Sequence, residues 1–274
     1  MRVLALGSCR VHDPLISAQQ QGEIECLNGQ FRPRPPLYLH DVREAVQFVR
    51  LVRGEIAMPK RMRCFAFDGG LRLRRSMKAP LDQAESLVIE ICTDKHYEAR
   101  GWTLNVNEIH ARLVVGGGAV AEEWWKAVDR QQRPSEALIR SVEEALRRRW
   151  QRLWRVDDGE RLVLRELTLR YLSAAEIADG LARLQTLIAR PILVVPHVAV
   201  RLPDGSLLAE RLRHVEKTIE AARKVGLPVL DPRTFIERDG QASVLDNAGT
   251  DFHHYAAAYL PIVGRDFVKA LKAR

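Results

Sequence analysis

The chain has 274 residues, 46% of them hydrophobic and 28% charged, with a formal net charge of +8. That composition supports one large buried core or two small ones and excludes a disordered chain. No apolar run approaches the roughly 20 residues of a membrane-spanning helix, and nothing resembles a zinc finger or an aromatic-rich nucleic-acid strand, so neither membrane nor nucleic acid is an expected partner.

The opening "MRVLALGSCRV" predicts a buried strand over Val3 to Leu6, a sharp turn at Gly7, and a helix beginning near Asp13-Pro14. An export signal needs an apolar stretch of about 7–15 residues. Only Val3 to Leu6 is available, so the expected location is cytoplasmic. "FRPRPP" (31–36) predicts an extended loop, because proline excludes helix and central strand alike. "HDVREAVQFVRLVRG" places Val42, Ala45, Val46, Val49 and Val52 at helical spacing and ends at Gly54. "SLVIEICT" (86–93), "PILVVPH" (191–197) and "LPVLD" (227–231) are further predicted strands.

Amphipathic helices separate the last strands: "AAEIADGLARLQTLIA" with Ile177, Leu181, Leu184 and Ile188 on one face, and "LLAERLRHVEKTIEAARKVG" with Leu208, Leu212, Val215 and Ile219. "VGRDFVKALKAR" closes the chain as a helix. Strands alternating with helices predict a three-layer α/β/α fold around a mostly parallel sheet. The expected organisation is a single domain over 1–274, interrupted by a helical insertion at about 100–170 that holds all five tryptophans. That insertion reads either as a lid or dimer surface or as part of one continuous core, which makes a second copy of the chain the candidate protein partner.

Several stretches bear on chemistry. "LVVGGGAVAEEW" lacks both GxGxxG spacing and the P-loop lysine, so a glycine turn is expected rather than a nucleotide site. Cys9, Cys26, Cys64 and Cys92 show no CxxC or metal-type spacing, so reduced thiols are expected, with no metal and no redox cofactor. "LDNAGTDFHHY" sets Asp251 three residues before His254, where a carboxylate can hold one ring nitrogen of a general base. His253 is the neighbouring alternative.

In a parallel sheet, reactive groups gather beyond the carboxyl ends of the strands. Gly7-Ser8-Cys9, Thr93-Asp94, His197 and Asp251–His254 all follow predicted strands. The basic run of Lys60, Arg61, Arg63, Arg72, Arg74, Arg75 and Lys78 reads as a surface hairpin or as a cradle for a diphosphate or acidic sugar.

A G-D-S-like turn at one end and a D-x-x-H at the other resemble the SGNH/GDSL hydrolase superfamily. The G-S-C opening is similar to its GSCFA-like and capsule-polysaccharide acetyltransferase-like groups. That resemblance implies an SGNH-type, flavodoxin-like fold and acyl-ester chemistry, either hydrolysis or acyl transfer, on a carbohydrate. Cys9 or Ser8 would be the nucleophile, His254 the base and Asp251 its orienting partner. Arg10, Thr93 and His197 would serve substrate or oxyanion, with coenzyme A as a candidate co-substrate and an anionic small molecule or glycan as substrate. The family's G-x-N-D block has no match, and its second-block glycine falls to Gly29 or Gly69.

Overall fold

The computed structural model describes residues 1–30, 38–67, 77–149, 158–202 and 204–273. The chain forms two compact units, one of Met1–Glu55, Arg72–Asp94 and Leu172–Arg274, the other of Ile56–Leu71 and Lys95–Tyr171.

The first unit is built on a parallel sheet of β1 (Arg2–Leu6), β2 (Glu25–Cys26), β3 (Ser86–Ile91) and β4 (Ile192–Pro196), in the order β2-β1-β3-β4. Val229 adds a single parallel bridge to Val194 outside β4. "LPVLD" therefore contributes one bridge where a full strand is expected. Its contacts run from the Val194 N–H to the Pro228 carbonyl and from the Leu230 N–H back to Val194. With that edge included, the order is that of a flavodoxin-like doubly wound sheet. β1 and β3 are almost wholly apolar, as strands covered on both faces must be.

Register decides what each face carries. Ala5 pairs with Val88, Val88 with Leu193, and Glu90 with Val195. Val3, Ala5, Val88, Leu193 and Val195 pack with α1 (Cys9–Gln20) and the closing helix, in one core with Val11, Leu15, Val263 and Phe267. Each valine, leucine or phenylalanine among them contributes about 1.5–3 kcal/mol on burial. The two helices touch closely, since a Cβ on Gly264 would collide with the Pro14 carbonyl oxygen.

α1 starts earlier than its proline predicts. Ser8 caps it by accepting the Arg10 N–H on its hydroxyl, and Pro14 lies inside the helix. The opposite face is covered by α2 (Val42–Arg53), α3 (Ala174–Ile188) and α4 (Ala209–Lys224). α2 has the expected helical register, with Asp41 as its cap and Gly54 left-handed at its end. The closing helix is α5 (Leu260–Lys272). Helices on both faces of a parallel sheet make the expected three-layer α/β/α arrangement.

The second unit differs from a purely helical segment. Lys95–Ala99 pairs antiparallel with Trp102–Thr103 and with Thr168–Tyr171. These strands are short and mix Lys, His and Glu with apolar residues, which hides their period. Helices Ala119–Asp129, Glu136–Arg149 and Asp158–Glu166 surround them. Trp124 is fully buried and donates to the Leu164 carbonyl, while Trp125 stacks on Tyr97. Trp150 and Trp154 lie outside the described residues.

The glycine run is helical on both sides of a break at Gly118, where φ is +63°. No helix among the described residues is long and apolar enough to cross a membrane.

Candidate active site

β1 ends at Leu6, and the chain turns on Gly7 at φ +146°. A Cβ there would sit 2.6 Å from Glu90 Cβ, so only glycine lets the turn lie this close to β3. The turn sets Ser8 at the cap and Cys9 at the first helical position, whose N–H is one of those the helix cannot pair itself.

Glu90 organises this turn. Its side chain is fully buried on the face shared with α1, and it accepts three hydrogen bonds from Ser8 and Arg10. Two come from Ser8, N–H at 2.9 Å and Oγ at 2.5 Å, and the third from Arg10 Nε at 2.5 Å. Burial raises the Glu90 pKa, but Arg10 and the Ser8 donors overcome that and hold the carboxyl below its ordinary value. Burial likewise opposes the Arg10 charge, and Glu90 more than restores it. Ser8 Oγ thus donates to a carboxylate and accepts from the Arg10 N–H at 3.2 Å.

Cys9 is half-buried. Burial pushes its thiol above the ordinary value; Arg10 pulls it down, while Asp13 and Glu90 push it up again. Burial thus outweighs the pull of the Arg10 charge on this thiol.

The second half of the site is the loop 251–255. Asp251 Oδ2 lies 2.8 Å from His254 Nδ1, and Oδ1 accepts the backbone N–H groups of His253 and His254 at 2.8 and 3.2 Å. The His254 bond, then the His253 N–H, holds the Asp251 carboxyl below its usual range. With Asp251 on Nδ1, Nε2 is the nitrogen left to take a proton, and the ring is half exposed.

Arg10 joins the two halves. Its Nε is on Glu90, and its Nη1 donates to the His253 carbonyl at 3.0 Å. A second guanidinium, Arg211 Nη1, donates to the preceding carbonyl, Phe252, at 2.9 Å. His197, just past β4, is buried, with Nδ1 3.0 Å from the Val198 carbonyl and its ring 6.1 Å from that of His253. Burial, then Arg10 and Arg211, drive the His197 pKa well down; burial, then Arg211 and Arg10, lower that of His253.

Ser8, Cys9 and Arg10 share the turn, and Asp251 and His254 form the carboxylate–imidazole pair. His197 stands beside His253. Thr93 gives its N–H to the His40 carbonyl at 3.1 Å, so any oxyanion role falls to its side chain. Gly29 lies in a short helical turn at Leu27–Gln30. Gly69 is outside the described residues, as are Arg72, Arg74 and Arg75 of the basic run.

Two residues were missed. Glu90 had a signal, because a lone carboxylate in a buried strand run must find a partner. Arg211 had none, being one arginine among many on a polar helix. Among the described residues, no group of three or more His, Cys, Asp or Glu is arranged to hold a metal ion.

Comparison with known proteins gives the family. The family model described as the TviD N-terminal domain matches residues 1–270. The chain belongs to the TviD N-terminal domain family. The capsule-polysaccharide type of resemblance carried by the two ends of the sequence is thus met by a match along almost the whole chain. A curated relative of this TviD family, the Vi polysaccharide biosynthesis protein TviD of Salmonella typhi, is 21% identical over 258 residues, covering 92% of this chain. The chain spans only 29% of that relative's length. Among solved structures, the inhibitor-bound aryl esterase of M. smegmatis is 12% identical with a TM-score of 0.41, over 99% of this chain and 98% of that one.

Proposed function

We propose that this chain is an acyl-transfer enzyme acting on a carbohydrate, with Cys9 as nucleophile, His254 as general base and Asp251 as the group that orients it. The observation that carries the reading is the Arg10 bridge, which fixes the Asp251–His254 loop to the turn that presents Cys9. Cys9 is favoured over Ser8 because the Ser8 hydroxyl is committed to Glu90.

The chemistry proceeds in two halves. His254 Nε2 takes the thiol proton as Cys9 Sγ attacks the acyl carbonyl, and the leaving group departs with that proton. The resulting thioester is then attacked by an acceptor hydroxyl, or by water, whose proton passes to His254 and on to the departing thiol. A thiol pushed up by burial stays protonated at neutral pH, so it needs this base at the moment of attack. The Cys9 N–H, at the start of α1, is the backbone donor for the oxyanion, with the Thr93 side chain as its candidate partner.

Transfer is favoured over hydrolysis because the curated relative is a polysaccharide biosynthesis protein. On this reading the substrate is a polysaccharide or its precursor, coenzyme A carries the acyl group, the location is cytoplasmic, and the second unit is an insertion into one catalytic domain.

The test is to incubate the chain with acetyl-CoA, or with an aryl acetate as a neutral donor, and to seek an acetyl adduct by mass spectrometry. An adduct on Cys9 that fails to form in His254→Ala supports the proposal. If Cys9→Ala, Ser8→Ala and His254→Ala all retain the biological activity, the domain is instead a non-catalytic binding module.

A further inference from the structure

We propose that Arg211 is the anion-holding residue of this site, taking a carboxylate or phosphate of the bound acceptor or donor beside the His254 loop. The inference rests on the acyl-transfer reading and names the charge of the substrate that such a site would take.

Consecutive carbonyls, Phe252 and His253, are gripped by two different guanidiniums, Arg211 Nη1 at 2.9 Å and Arg10 Nη1 at 3.0 Å. Two like charges are therefore held at close quarters, next to the His197–His253 ring pair. Only one of them is neutralised. Arg10 has Glu90, whereas Arg211 has no carboxylate partner among the described residues. The nearby Asp251 is already engaged by the His254 ring and by two backbone N–H groups.

Arg211 also lies in the first turn of α4, the end of a helix where a cation is disfavoured. Burial, then Arg10, lowers its pKa to about 10, which is the mark of a cation short of counter-charge. A guanidinium carries five N–H donors in a planar fork, and only one is used on Phe252. The remaining edge suits a two-oxygen anion, which would relieve the repulsion with Arg10.

The alternative, that Arg211 only pins the loop, predicts a different response. A pin affects every ligand and the folding equilibrium alike; an anion site affects charged ligands selectively.

Calorimetric titration of the full chain separates the two. Three probes are used: a hexuronate trisaccharide, the corresponding neutral hexose trisaccharide, and coenzyme A. Arg211→Gln should weaken binding of the anion the site takes by on the order of tenfold or more, and leave the neutral trisaccharide unchanged. Arg211→Lys should retain part of the affinity, and Arg213→Gln, an exposed arginine of the same helix, should retain all of it. Loss confined to the hexuronate assigns a substrate carboxylate; loss confined to coenzyme A assigns a donor phosphate. Equal affinity in wild type and Arg211→Gln, an equal loss in Arg213→Gln, or no binding of either anion by wild type overturns the inference. Binding needs no turnover, so the absence of a Cys9 adduct would remove the acyl-transfer reading and leave this measurement standing.

Discussion

The two halves of the site are built by opposite means. The Ser8–Cys9–Arg10 turn is locked by a buried ion pair, with the Arg10 and Glu90 side chains 6% and 0% exposed. The Asp251–His254 pair is local, three residues apart, and its histidine is 50% exposed. One half owes its geometry to a partner 80 residues away, the other to its own loop. The difference means that damage to the Arg10–Glu90 lock should fall on the fold, and damage to the Asp251–His254 pair on the chemistry alone.

The sharpest way to break that contrast is Glu90→Ala. It leaves Arg10 buried and unpaired, so urea unfolding should show a loss of roughly 3–5 kcal/mol, a large share of the 5–15 kcal/mol of a typical domain. Acid should have a related effect. Glu90 is held below its ordinary pKa in the folded chain, so its stabilising contribution is complete above the ordinary carboxylate range. That contribution fades as pH falls through the lowered native value, and Glu90→Gln should lessen the acid slope of stability.

Next in size, Cys9→Ala should reduce acyl transfer on the order of a thousandfold while the unfolding midpoint barely moves. A comparable loss of stability would show that the thiol is a packing group.

Asp251→Asn should lower turnover about a hundredfold with less than ~0.5 kcal/mol lost in stability, because its contacts stay within its own loop. If it unfolds the chain, the loop is no less structural than the turn. Ser8→Ala is the smallest effect expected, about 1–2 kcal/mol from the lost cap and hydroxyl bonds. An acetyl adduct should still form on Cys9, and its disappearance would return Ser8 to the nucleophile position.

Much of this was legible in the chain itself. The alternation of apolar strands and amphipathic helices marks the layered α/β unit, because burial on two faces demands continuous apolar runs. Asp251 and His254 could be paired from spacing alone, since residues three apart on a turn meet without help from the rest of the molecule. The antiparallel strands of the second unit were not legible, for they are two to five residues long and carry mixed polarity.

What the sequence by itself determined, then, is the parallel α/β layering and the local carboxylate–imidazole pair, both products of short-range periodicity. Only the tertiary structure decided that Ser8 is bound to Glu90, that Arg10 ties the first turn to the last loop across 243 residues, and that Arg211 stands beside it with no carboxylate partner among the described residues. Those relations depend on strand register and on which charges burial brings together, and neither is written in any local pattern of residues.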